Sequence, residues 1–421
     1  MSKFPATFRV RQRFDRPRVD DISAAVHDSL AKLSLGGRIR TGQRVAITAG
    51  SRGIANIAEI LRSVADHVRS LEAEPFLVPA MGSHGGATAE GQAAMLETLG
   101  ITEDACGCPI RSSMETIDLG QASAGFPIYA DRLASEADHV IIVGRVKLHT
   151  IFSGDYQSGL MKMLLIGLGK HDGAKIYHRA TQQIDFDDLV VDVAPRIIER
   201  CHVAAGLALL ENAFDQTAAI EAIAPDDIMA REPQLLRQAI EWFPKLPFAK
   251  VDLLLIDQMG KNLSGSGMDT NVIGRKTGPG GGICDPLSRV KRIAVRRLTA
   301  QSHGNALGIG LADFCLASLV RDVDFQATTT NGLTSGEPEK MKIPIQFDTD
   351  REILQAALDT IGLTSPAESR LLWICDTLHL TELECSEAYW DEVQQRDDLE
   401  VVSDLRPLPI DADGHLPELK C

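Results

Sequence analysis

Five side chains have the chemistry and the setting for catalysis: Arg52, His84, His149, Lys162 and His178. The first three each follow a short apolar run. Arg52 lies in Ala49-Gly50-Ser51-Arg52-Gly53, His84 in Gly82-Ser83-His84-Gly85-Gly86, and His149 in Leu148-His149-Thr150. Two imidazoles can take and give protons near neutral pH. A guanidinium can fork onto a carboxylate. Lys162 stands between Gly-Leu-Met and Met-Leu-Leu-Ile. An amine among apolar neighbours loses the solvation of its charged form, so its pKa falls and it can serve as a nucleophile or an attachment point. The same pattern also fits a lysine that snorkels from a helix end. His178 is followed by Arg179 and reads, by itself, equally as a surface imidazole.

The elements that must position these groups alternate along the first half of the chain. Residues 44–48 (RVAIT) read as a short buried strand. Ile54, Ile57, Ile60, Leu61, Val64, Val68 and Leu71 then recur at helical spacing. Residues 75–80 (PFLVPA) and 139–146 (HVIIVGRV) read as further strands, and Thr88 is placed to cap the helix after the first of them. Strand, loop, helix and strand again is the pattern of a mostly parallel sheet. In such sheets ligands bind at the carboxyl ends of the strands, which is where Arg52, His84 and His149 fall.

Two prolines in residues 243–247 (FPKLP) break a helical run and mark a linker. Residues 251–257 (VDLLLID) then open a second α/β unit, followed by a Gly/Ser-rich loop at 258–269. Residues 304–314 read as a Gly-broken helix or a turn beside the cleft, and 328–331 (TTTN) as a cleft loop or plain surface, with surface favoured. Residues 349–352 (TDRE) form a capping box for a helix reaching about residue 361. The expected architecture is therefore α/β: two α/β domains with mostly parallel sheets, 1–248 and 249–421, and an active site in the cleft between them. The last residues are expected to pack back on the first domain.

Composition narrows the partners. The chain has 421 residues, 43 Lys and Arg against 58 Asp and Glu, and a net charge of −15. That balance argues against nucleic acid, which needs a basic footprint, and against an anionic membrane face. No stretch approaches the length of a transmembrane helix, and the N-terminus has no apolar core of a secretory signal. The eight cysteines (Cys106, Cys108, Cys201, Cys284, Cys315, Cys375, Cys385 and Cys421) show no four-ligand zinc spacing and are expected to be reduced thiols of a cytoplasmic protein. The glycine cluster at 278–282 (GPGGG) lacks the Gly-Lys-Ser/Thr ending of a P-loop, and no G-x-G-x-x-G follows the first strand.

Taken together, in order and spacing, these residues resemble the lactate racemase family, enzymes that use a nickel-pincer nucleotide. That family has an Arg after an early strand, a His in a Gly-Ser/Thr-His loop, and a second His before a Ser-Gly stretch that ends in a Lys. Here these are Arg52, His84, His149, Ser153-Gly154 and Lys162. A third His follows some sixteen residues beyond the Lys, here His178, and a Gln-x-x-Lys opens the second domain, here Gln258 and Lys261. The resemblance covers about residues 44–261. It departs at Ala49, where the family has Asp. The His-to-Lys stretch is about three residues longer, with Asp155-Tyr156-Gln157 inserted, and the family's proline turn after the Lys is missing. These changes mark a divergent subgroup.

The resemblance implies a racemase or epimerase of a 2-hydroxy acid, lactate-like or a sugar acid. Lys162 would tether the cofactor, with Lys170 and Lys175 as alternatives, and His178 would ligate the nickel. Imidazole suits that metal. His84 and His149 would be the acid/base pair, and Arg52, Gln258 and Lys261 would bind the substrate. The implied partners are a small hydroxy acid and the proteins that make the cofactor. Two other readings use the same residues: a metal-dependent hydrolase or lyase with His84, His149 and His178 as direct ligands, and a non-catalytic small-acid binding protein.

Overall fold

The computed structural model of the chain describes residues 4–276 and 287–419. The Gly cluster at 278–282, Cys284 and Cys421 lie outside the described residues. The chain divides into two compact units. One is Asp15–Phe243, and the other joins the residues up to Phe14 to the chain from Pro244 onward.

The Asp15–Phe243 unit is built on a five-stranded sheet. Its order is Glu74–Pro79, Arg44–Ala49, His139–Arg145, Val203–Glu211 and Thr217–Ile223. The first four strands run parallel, and only the last is antiparallel to its neighbour. Successive side chains leave opposite faces of a strand, and these strands are apolar on both faces. Val45, Ile47, Ile141, Val143, Leu207 and Leu209 enter one core with the helices Ile22–Ala31 and Ile57–Ser70. Ala46, Val140, Ile142, Ala208 and Leu210 enter another with Phe186–Arg200 and Ile228–Glu241. Each large aliphatic side chain so buried contributes about 1.5–3 kcal/mol. The strands and helix expected from the sequence are present, shifted by at most a few residues at their ends. Thr88 is an N-cap, accepting from the Gly91 amide.

The other unit holds a larger mixed sheet. Ile345–Phe347, Phe314–Leu316, Arg289–Leu298, Lys250–Met259 and Leu371–Ile374 are parallel neighbours. Glu382–Ser386, Ala6–Gln12 and Leu399–Val401 extend it in antiparallel fashion. The N-terminal strand thus belongs to this unit and not to a domain running from residue 1 to 248. Contiguity along the chain concealed this, because strand pairing joins residues hundreds of positions apart. The C-terminal residues also stay here: Leu416 enters the core with Phe4, Leu253 and Trp373, and its amide bonds Asp350 at 2.9 Å.

Three local expectations resolve as follows. Thr349 and Glu352 form the capping box of the helix Asp350–Leu358. Residues 304–314 contain a single helical turn, Ile309–Leu311, before the strand Phe314–Leu316. Residues 328–331 are helical and not a loop: they lie in Phe325–Ser335, capped by Asp324, with Thr328 buried while Thr329 and Thr330 lie at the surface as expected. Cys106, Cys108, Cys201, Cys315 and Cys385 are free and buried, whereas Cys375 is disulfide-bonded, which departs from the expectation of reduced thiols throughout. No described helix is long and apolar enough to cross a membrane.

Candidate active site

The four parallel strands of the Asp15–Phe243 unit point their carboxyl ends to one edge. Arg52, His84 and His149 follow three of them, and Glu211 ends the fourth. Glu211 ties this edge together. It pairs with Arg145 at the end of the neighbouring strand and accepts the Ala55 amide at 2.7 Å. That bond fixes the loop carrying Ser51 and Arg52.

His84 sits in a turn that only glycine can make. Gly82 has φ +59°, and a Cβ there would come within 3.0 Å of the Ile166 carbonyl. Gln92 holds the same turn by donating to the Gly82 carbonyl at 2.8 Å. The His84 Nδ1 lies 2.5 Å from Ser51 Oγ. Burial, then Arg52, Lys162 and His178, lower its pKa to about 4. The ring keeps solvent access although protein atoms crowd it, as expected at the wall of an open site. Arg52 itself is shifted down by burial and by Arg145.

His149 is locked by backbone. Its Nδ1 accepts the amides of Ile151 and Phe152, both at 3.1 Å. The neutral ring therefore carries its proton on Nε2. The ring stacks on Phe152 at 4.4 Å between centroids, and Phe152 in turn faces His178 at 6.4 Å. Lys162 Nζ lies 6.0 Å from the centre of the same Phe152 ring.

Lys162 ends a short helical turn, Leu160–Lys162, and a π-helical segment, Met163–Gly167, follows at once. Such wide turns often mark functional sites. Burial, then Arg52 and Lys147, bring the Lys162 pKa down to about 7. Glu232 supports the turn from Ile228–Glu241, accepting the Met161 amide at 3.0 Å. Gly159 is required beside it, since a Cβ there would fall 2.4 Å from Glu232 Oε1. Burial raises Glu232 to about 7. The helix Lys170–Ala180 then presents His178, whose pKa is lowered by burial and by Lys162.

The alternatives to Lys162 have other surroundings. Lys170 is wholly buried, 2.8 Å from Asp131 and hydrogen-bonded to Gln92 and to the Pro79 carbonyl, so it is a structural cation. Lys175 is exposed. Gln258 and Lys261 belong to the other unit. Gln258 donates to Asp376 at 3.3 Å, and Lys261 Nζ donates to the Gly265 carbonyl and to Asn331.

Sequence reading missed several members of the site. Arg145, Lys147 and Glu211 stand at strand ends, where position alone would have singled them out. Phe152 carries no chemical signature, and its role comes from three neighbours that only folding assembles. In the other unit, Asp376 follows a parallel strand and accepts His379 Nδ1 at 2.9 Å. Among the described residues, no group of three or more His, Cys, Asp or Glu could hold a metal ion. His84, His149 and His178 are thus not arranged as a joint ligand set.

Residues 13–185, less than half of the chain, are similar to the lactate racemase N-terminal domain. Arg52, His84, His149, Lys162 and His178 all fall inside it, and Glu211, Glu232, Gln258 and Lys261 lie beyond it. Two solved structures share the fold over most of the chain. One is the lactate racemase apoprotein from Thermoanaerobacterium thermosaccharolyticum, with 12% identity, a TM-score of 0.52, and coverage of 89% of this chain and 99% of that one. Another is a structural-genomics protein from Thermotoga maritima, with 12% identity, a TM-score of 0.50, and coverage of 87% and 99%. No curated protein matches the sequence. At this identity the solved structures speak for the fold alone. They support the mixed α/β architecture with mostly parallel strands.

Proposed function

We propose that the protein is a racemase or epimerase of a small 2-hydroxy acid, working with a nickel-pincer nucleotide held by Lys162 and His178. The observation that carries this reading is the setting of Lys162. Its amine is brought to about 7, so that it is available as a nucleophile, and it lies beside the ring of Phe152, which also faces His178. The residues fit the group. A metal bound mainly by its own organic cofactor needs one protein imidazole, and His178 offers one with its basicity lowered by its neighbours. Arg52 and Lys147 supply positive charge that suits an anionic nucleotide and a carboxylate substrate.

When bound, the group supplies a hydride acceptor and donor for the substrate carbon. The chain supplies the rest. Arg52 binds the substrate carboxylate. With a pKa near 4, His84 is neutral at pH 7 and takes the hydroxyl proton at Nε2. His149, with Nδ1 occupied by two amides and its proton on Nε2, donates a hydrogen bond to the substrate oxygen and stays neutral. His84 returns the proton to the same oxygen as the carbon is reduced again, so one imidazole serves as base and acid in both directions. Gln258 and Lys261 are assigned to substrate binding on the resemblance alone. The test is co-expression with the cofactor-making proteins, followed by chiral chromatography of single-enantiomer 2-hydroxy acids. Appearance of the opposite configuration supports the reading. No inversion of any 2-hydroxy acid by the nickel-loaded protein contradicts it.

A further inference from the structure

The stretch between His149 and Lys162 holds an assembly that the reaction as described does not use. The Asp187 carboxylate, from the helix Phe186–Arg200, accepts the amides of Asp155 at 2.8 Å and Tyr156 at 2.9 Å. Gly154, at φ +110°, permits this approach, since a Cβ there would lie 2.2 Å from Asp187 Oδ2. The Tyr156 hydroxyl donates to the Met229 carbonyl at 2.8 Å, and Lys147 and Ser158 exchange backbone bonds of 2.9 and 3.1 Å. Between these anchors lies Gln157, buried, with Oε1 accepting the backbone amide of His149 at 2.9 Å.

We propose that Gln157, set in place by Asp187, is a positioning residue that holds the His149 ring in its Nε2-protonated form, so that it donates a hydrogen bond to the substrate oxygen. The geometry gives the reason. The ring's Nδ1 meets the amides of Ile151 and Phe152 only while the backbone at 149 is held, and Gln157 holds it. Asp155, Tyr156 and Gln157 lie within the matched span, and Asp187 lies just past it. A buried amide left without its acceptor is costly, so the clamp and the ring orientation should fail together.

The inference rests on His149 as a hydrogen-bond donor to the substrate, and its test separates the two claims. The full-length protein labelled with 15N-histidine reports ring tautomers by NMR, with the His149 signal identified by its loss in His149→Gln. The parent chain should show the Nε2–H form alone. Gln157→Ala should give a mixture of tautomers at His149 while His84 and His178 keep their signals. Asp187→Asn, a milder change, should move His149 in the same direction. In the active protein, Gln157→Ala should lower kcat at least tenfold with KM within about twofold, and Gln157→Glu, which keeps an accepting oxygen, should recover most of the loss. An unmoved His149 tautomer in Gln157→Ala overturns the clamp, with or without turnover. A shifted tautomer in a chain that inverts no hydroxy acid upholds the clamp and removes the proposed reaction.

Discussion

The amine of Lys162 lies 6.0 Å from the centre of the Phe152 ring, and His149 stacks on that same ring at 4.4 Å. One aromatic side chain therefore spaces the proposed tether from the proposed hydrogen-bond donor. Behind it, Phe186 stacks at 4.1 Å and fixes it to the core.

His84→Ala should lower kcat by about 10²–10⁴-fold, the usual worth of a positioned acid or base, and His149→Ala by about 10²–10³-fold, the worth of a donor aimed at developing charge. Both rings keep solvent access, so the fold should survive, as read by circular dichroism and thermal melting. Full activity in either variant would remove the two-imidazole scheme.

The pH response of His84 follows from its neighbours. Its pKa near 4 is held down by burial and by the cations Arg52 and Lys162. Arg52→Met removes a positive charge, so the charged ring becomes easier to form and its titration should move upward, as followed by NMR. The sign for stability is also fixed. Between about 4 and the ordinary 6.5 the unfolded chain binds the proton and the folded chain does not, so this group's contribution falls as pH drops through that window. A titration unmoved in Arg52→Met would show that Arg52 does not act on this ring.

Glu232 predicts the opposite slope. Burial raises its pKa to about 7, so the folded protein holds a proton that the unfolded chain releases above about 4.5. Stability should fall as pH rises from about 4.5 to 7. Glu232→Gln keeps an acceptor for the Met161 amide and carries no charge. It should flatten this slope and gain up to about 3 kcal/mol at pH 8 in denaturant titrations. A steeper slope in the variant would contradict the assignment.

Lys170 tests the choice of tether through stability. It is fully buried against Asp131, and truncating one partner of a buried pair costs about 3–5 kcal/mol. Lys170→Met should lower the denaturation midpoint accordingly, and the protein that still folds should remain competent at Lys162. Unchanged stability would mean that the pair is not formed.

Much of the first unit was legible because strong local signals carried it. The apolar run before Arg52, the helical spacing from Ile57 and the cap at Thr88 all depend on neighbours in sequence. Arg52, His84 and His149 stand out by strand-end position and Lys162 by its apolar neighbours, whereas His178 lies on a helix and carries no such local signal. What stayed hidden depends on distant pairing. The strand Ala6–Gln12 lies beside Glu382–Ser386, and nothing in either run names its partner. Glu232 looks like any helical glutamate until Gly159 is packed against it. Residues 328–331 read as a loop from their polar composition, yet the Asp324 cap and burial of Thr328 make them helical.

The most direct measurement is the intact mass of the protein, with nickel content, after co-expression with the cofactor-making proteins. The account predicts a covalent mass increment mapping to Lys162, about one nickel per chain, loss of both in Lys162→Ala, and loss of nickel with the increment retained in His178→Ala. An unmodified chain without nickel, or an increment on Lys170 or Lys175, would contradict it.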